Sequence, residues 1–176
     1  MYVQQTFASL GRVLPPVIAP AILSDLALDP SWLGLYVAFN SLAALLFQLG
    51  CGSFIVSQGA LRMSQAALAM LAIGLVAAAF APPLILFAVG AIIGGGGTAV
   101  STPASSHLLG RYSPPRLTPL VFSIKQTAVP TGLLLAGILG PWMVEATGWR
   151  GAMIGAGVAA FAFAVMLEPL RGAFDA

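Results

Sequence analysis

From Met63 to Gly110 the chain runs for 48 residues without an Asp, Glu, Lys or Arg. As helix, at 1.5 Å per residue, that run is about 70 Å long, enough to cross a hydrocarbon core of roughly 30 Å twice. No single buried core helix accounts for it, so the sequence specifies a membrane protein. The rest of the chain agrees: 7% of its residues are charged and 59% hydrophobic, with a mean hydropathy of +0.99, where soluble domains carry about 25% charged residues. The basic residues are scattered singly, which leaves no patch for nucleic acid. Cys51 stands alone and excludes an intramolecular disulfide. No Lys or Arg precedes the first apolar run, as the charged start of a signal peptide requires, so that run is read as a retained helix.

Polar or Pro/Gly breaks divide the chain into six apolar segments, at about 3–23, 32–55, 63–80, 83–106, 118–142 and 151–168. Each is long enough to span a bilayer, allowing for tilt. The breaks at 24–31, 57–62, 81–83, 107–116 and 145–151 are short, so consecutive helices are expected to run antiparallel. With both termini on one side, that side receives Arg62, Arg111, Arg116 and Arg171. The other receives Arg150 with Asp25, Asp29 and Glu145. The positive-inside rule then puts the termini in the cytoplasm, and the expected location is the inner membrane.

Polarity is unequal among the segments. The second carries Tyr36, Asn40 and Gln48, and the fourth Thr98, Ser101, Thr102 and Ser105, at spacings that define a face. The first holds Arg12 with Pro15, Pro16 and Pro20. The fifth holds Ser123, Lys125, Gln126, Thr127, Pro130 and Thr131. The third and sixth are almost purely apolar, and are expected to face lipid or pack tightly. Two triplets therefore share a polar, polar, apolar order. Each has three spans, which makes them inverted repeats of the kind that enclose a midplane site in transporters.

The stretches LDPSWLGLYVAFNSLAALLFQLGCGSFIVSQGALRMSQ (28–65) and FSIKQTAVPTGLLLAGILGPWMVEATGWRGAM (122–153), with the glycine-rich fourth segment, resemble the amino-terminal half of a major facilitator superfamily transporter. Within that family the stretches look like bacterial carriers of small anions and cyanate. The resemblance covers essentially the whole chain. It implies an all-α integral membrane protein in one domain, 1–176, with six transmembrane helices as two inverted three-helix repeats, forming one half of the major facilitator fold. The family's gating motif, Gly-x-x-x-Asp-(Arg/Lys)-x-Gly-(Arg/Lys)-(Arg/Lys), keeps its glycines here as Gly52 and Gly59. Val56 replaces its aspartate, and Ser57, Ala60 and Leu61 replace its basic residues, with Arg62 just beyond. The charged motif of the fourth helix is absent. Family members have twelve or more spans, so the sequence is expected to be a fragment, the product of a truncated gene, or a half that pairs with a second copy.

Charges inside a bilayer normally face a cavity or reach for the interface. Arg12 lies about 14 Å along the helix from Val3, near mid-membrane, and is expected to bind an anion or gate its path. Lys125 lies about 10 Å inside the fifth segment. It either faces the same cavity or snorkels back to water. Gln126 beside it, and the pair Tyr36 and Asn40, complete the expected substrate-binding set, with Gly52, Gly59 and Arg62 as the gating loop. Pro130 removes a backbone donor and frees the carbonyl of Gln126. Asp25, Asp29, Glu145, Glu168 and Asp175 all fall in loops or at helix ends, leaving no buried acid to carry a proton.

The expected function is secondary transport of a small, anionic solute by alternating access, with no cofactor, no metal and no enzymatic activity. The expected partners are a small-molecule substrate, the lipid bilayer, and a second six-helix half or a second copy. The alternatives are a non-transporting truncated or assembly protein and, remotely, an intramembrane serine protease, for which His107 is the sole histidine. Reporter fusions after Arg62, Arg111 and Arg171 should read cytoplasmic and fusions after Asp29 and Glu145 external; the reverse pattern would overturn the topology.

Overall fold

Long apolar stretches rich in Ala, Leu and Gly satisfy their backbone polar groups most simply as helix, the form a bilayer demands of a spanning segment. The computed structural model describes residues 1–80 and 84–171, apart from the side chains of Leu84 and Leu86. In chain order the helices are α1 (Tyr2–Val17), α2 (Ala19–Leu26), α3 (Ser31–Gln58), α4 (Ala60–Ala79), α5 (Leu84–Tyr112), α6 (Thr118–Gln126) and α7 (Ala128–Met166). A 3₁₀ turn at Glu168–Leu170 follows. Among the described residues four helical stretches are long and apolar enough to cross a membrane: Ser31–Gln58, Ala60–Ala79, Phe87–Tyr112 and Thr118–Leu170. The pair α1 and α2, bent by 44°, makes a fifth if taken as one span.

Proline and glycine explain the breaks. Pro15 and Pro16 lie inside α1 and Pro20 at the start of α2; lacking an N–H, each leaves unpaired the carbonyl four residues earlier. The chain bends at Ile18 as a result. Pro130 does the same to Gln126, and the break between α6 and α7 falls at Thr127, one residue on. Two corners depend on a left-handed glycine, a conformation that side chains disfavour. Gly59 (φ 92°) separates α3 from α4, and Gly148 (φ 74°, ψ 169°) divides α7 into arms at 128–147 and 149–166. The expected breaks at 57–62 and 145–151 therefore shrink to one residue each. Residues 107–112, expected as loop, continue α5. The expected break at 81–83 lies outside the described residues.

The third apolar segment forms α4, which is core: Leu61, Leu68, Leu71 and Leu75 are buried with Ala78 and Ala79. It packs mainly on α5 and α7, while α3 packs on α5 more than on its neighbour α4. Glycines bring these helices together. A Cβ on Gly74 would lie 2.6 Å from the nitrogen of Gly94, one on Gly97 would lie 2.5 Å from the carbonyl oxygen of Ala67, and one on Gly95 would collide with the carbonyl of Asn40. Gly132 in α7 receives α1 in the same way, its Cβ position 2.7 Å from the carbonyl oxygen of Thr6. Leu45, Leu46 and Leu49 on α3 and Leu134, Ile138 and Trp142 on α7 stay exposed.

Tyr2, Leu61, Leu109, Tyr112, Ile124 and Leu170 meet around a cavity of about 470 Å³, so the start of α1 and the residues after α3, α5 and α7 share one end of the bundle. Asp25 marks the other end. Its carboxylate accepts hydrogen bonds from Trp149 Nε1 (2.9 Å) and Arg150 (3.0 Å), and the Arg150 guanidinium lies 4.5 Å from the Trp149 ring centre. Asp29 there accepts from the backbone N–H of Ser31 (2.9 Å). The Ser31 hydroxyl and that backbone bond hold the Asp29 carboxyl below the usual carboxylate range.

Gly95→Ala should force α3 off α5 and cost about 1–3 kcal/mol, whereas Gly52→Ala, with open space at its Cβ, should be neutral or stabilise by up to about 1 kcal/mol. Thermal unfolding in detergent measures both, and equal effects would contradict the backbone contact.

Candidate functional site

Gln5, Ser9 and Arg12 lie at i, i+4 and i+7 on one face of α1. That face forms the middle of a cavity of about 210 Å³. Ala8 and Val13 flank it on α1, Thr98 and Thr102 line it from α5, and Val129 and Leu133 from α7. Arg12 is exposed there, and among the described residues no carboxylate shares the lining. Because Pro16 has no N–H to offer, the backbone carbonyl of Arg12 also lacks its helical partner. The site thus presents one permanent positive charge, hydroxyls and an amide, and an apolar flank.

Hydrogen bonds between α1 and α5 set the floor of the cavity. Gln4 Nε2 donates to Ser101 Oγ (3.0 Å) and Gln5 Nε2 to Thr102 Oγ1 (3.1 Å), while Ser105 Oγ, 3.3 Å from Gln5 Oε1, shares its one proton between that oxygen and the carbonyl of Thr102 (2.9 Å). The α5 hydroxyls also bond their own helix: Thr98 donates to the carbonyl of Gly95, Ser101 to that of Gly97 and Ser105 to that of Thr102. Gln4 is fully buried, and its Oε1 has no partner among the described residues.

Lys125 does not join Arg12. The residue is 4% exposed, and its ammonium donates to the backbone carbonyl of Thr102 (3.2 Å) and to Ser106 Oγ (2.7 Å). The lysine does not line the Arg12 cavity; it lies on the 470 Å³ cavity at the end of the bundle that holds Tyr2, Leu61 and Tyr112, and its ammonium fastens α6 to α5 just behind Thr102. Gln126 is exposed on α6 and lies outside the cavity lining. Tyr36 is buried, its ring centre 4.6 Å from that of Phe87. Asn40 donates to the carbonyl of Ala91 (3.1 Å). Both join α3 to α5, as paired polar residues in membranes often do. Gly52 is exposed on α3, Gly59 forms the corner, and Arg62 is exposed on the first turn of α4. Asp25, Asp29, Glu145 and Glu168 are exposed; Asp175 lies outside the described residues. Ser105 bonds to Gln5 and not to His107, which is itself exposed, so the pairing a serine protease needs is not formed there.

Reading the sequence missed Gln4, Gln5 and Ser9. Their signal was present, since Gln5, Ser9 and Arg12 repeat at helical spacing. They were overlooked because Arg12 and the prolines dominate the first segment.

Residues 1–173 match the sequence profile of the Major Facilitator Superfamily, and the chain belongs to that family of membrane transporters. No curated protein matches it. The family and the apolar helices together make it a multi-pass membrane protein of the class that moves solutes.

Lys125 is the chain's only lysine. In the folded protein it should react with a water-soluble acylating reagent slower by on the order of tenfold or more than in the denatured chain, because reaction requires local opening. Equal rates, read by mass spectrometry, would place its ammonium in water.

Proposed function

We propose that the chain is one six-span half of a secondary carrier for a small anion. The bent pair α1 and α2 counts as one span. The stretch Thr118–Leu170 has 53 residues, about 80 Å of helix against a core of roughly 30 Å, and counts as two spans joined at Gly148. With α3, α4 and α5 the total is six. The grouping of Tyr2, Leu61, Tyr112 and Leu170 at one end supports alternating spans. Arg62, Arg111 and Arg171 cluster towards that end, and Asp25, Asp29 and Glu145 towards the other, which favours cytoplasmic termini in the inner membrane. The inverted-repeat reading continues to rest on polarity: α1, α3, α5 and α6 carry polar residues, while α4 from Ala66 on and the second arm of α7 from Ala152 on are apolar.

The observation that carries the anion reading is Arg12, an exposed residue on a cavity that no carboxylate lines among the described residues. Intramembrane charges mark solute paths by default. Its exposure calls for a second wall, supplied by another six-helix half or a second copy, to close the cavity in alternating access. Lys125 acts from behind the wall, and Tyr36 and Asn40 hold α3 in place. Gly59 keeps the family's corner as a gating hinge, next to Arg62, without the motif's aspartate. The family match does not extend to the expected cyanate-type subgroup, which therefore adds no weight to the choice of anion.

Proteoliposomes holding the full chain should take up small anions. Arg12→Gln should cut that uptake roughly tenfold or more, the worth of about 1.5–3 kcal/mol for hydrogen bonds to a charged group. Uptake that survives the substitution would remove the anion reading, and absence of flux for every solute would favour the non-transporting protein.

A further inference from the structure

Resting on the anion reading of the same cavity, we propose that its ligand is a small organic carboxylate with a short hydrocarbon tail, not an inorganic anion. The lining is divided. From α5 come hydroxyls alone, Thr98 and Thr102, and from α7 come hydrocarbon side chains alone, Val129 and Leu133. α1 runs between them and supplies both kinds, with Arg12 and Ser9 beside Ala8 and Val13. A ligand lying across α1 therefore meets charge and hydroxyls on one side and only apolar atoms on the other.

The polar side suits a carboxylate. The Arg12 guanidinium presents a planar fork of donors that matches two carboxylate oxygens. Thr102 Oγ1 already accepts from Gln5, so its own O–H is left to donate. Thr98 spends its proton on the carbonyl of Gly95. One fixed positive charge balances one negative charge, which favours a monoanion over a dicarboxylate. The apolar side argues against sulfate, nitrate or chloride, whose whole surface is polar and would lose hydration against Val129 and Leu133 without compensation. Val129 and Leu133 are 42% and 53% exposed, so both have surface left for a ligand to cover. The cavity has room for about seven waters at roughly 30 Å³ each, the scale of a carboxylate with a few carbons.

The test uses the full chain in detergent and reads modification of Arg12 by phenylglyoxal through mass spectrometry, with and without competing anions. Formate, acetate, propionate and butyrate should protect at falling concentrations, by up to about fourfold for each added methylene that becomes buried. Butyrate should protect well below the concentrations needed for chloride, nitrate, sulfate or succinate. Leu133→Asn, and the nearly isosteric Val129→Thr as a milder change, should flatten the carboxylate series. A flat series in the unmodified chain, or inorganic anions protecting as well as butyrate, overturns this inference and leaves the anion reading standing. No protection by any anion overturns both.

Discussion

The contacts of α5 with α3 and α4 are backbone against backbone. Lipid tails are as apolar as leucine side chains, so within a bilayer helices gain little by hiding hydrocarbon from each other. What attracts them is close packing and hydrogen bonds. The sequence answers with glycine wherever the axes meet: Gly90 and Gly94 face Gly74, Gly95 faces Asn40, and Gly97 faces Ala67. Once α5 is fixed against α3 and α4, its other side holds Thr98, Ser101, Thr102 and Ser105 towards α1. The cavity wall is thus positioned by residues that take no part in it.

Hydrogen bonds complete what the glycines begin. Gln4 and Gln5 tie α1 to α5 at Ser101, Thr102 and Ser105, and Lys125 brings α6 to the same turn. The carbonyl of Thr102 accepts from both Lys125 and Ser105. This turn stands directly before Pro103, which cannot donate to Ala99 and so loosens the helix. The Thr102 hydroxyl is therefore held in the cavity by side chains from other helices where its own ladder is weakest.

Much of the fold was legible because its signals are compositional. The charge-free run at 63–110 announces paired spans, and the prolines at 15, 16, 20 and 130 foretell the breaks at Ile18 and Thr127. The corners were less so: SQGALR and EATGWRG read as loops by polarity, yet each hides a single glycine turn between helices, which only backbone angles reveal. At the site, Arg12 stood out because an isolated charge in an apolar run is costly. Lys125 stood out for the same reason, yet nothing in one dimension tells a ligand-facing ammonium from one bonded to a neighbouring helix. Tyr36 and Asn40 share that ambiguity.

The corners at Gly59 and Gly148 join long helices with no slack between them. A connection of one residue has no spare chain to pay out, so neither α4 nor the second arm of α7 can slide along its predecessor by even one helical turn. Asp25 bonds to Trp149 and Arg150 beside the second corner and adds a rivet between α2 and α7. Movement at these two corners is consequently a swing and not a slide, and the proline-weakened joints at Ile18 and Thr127 add two further places where the described helices can flex.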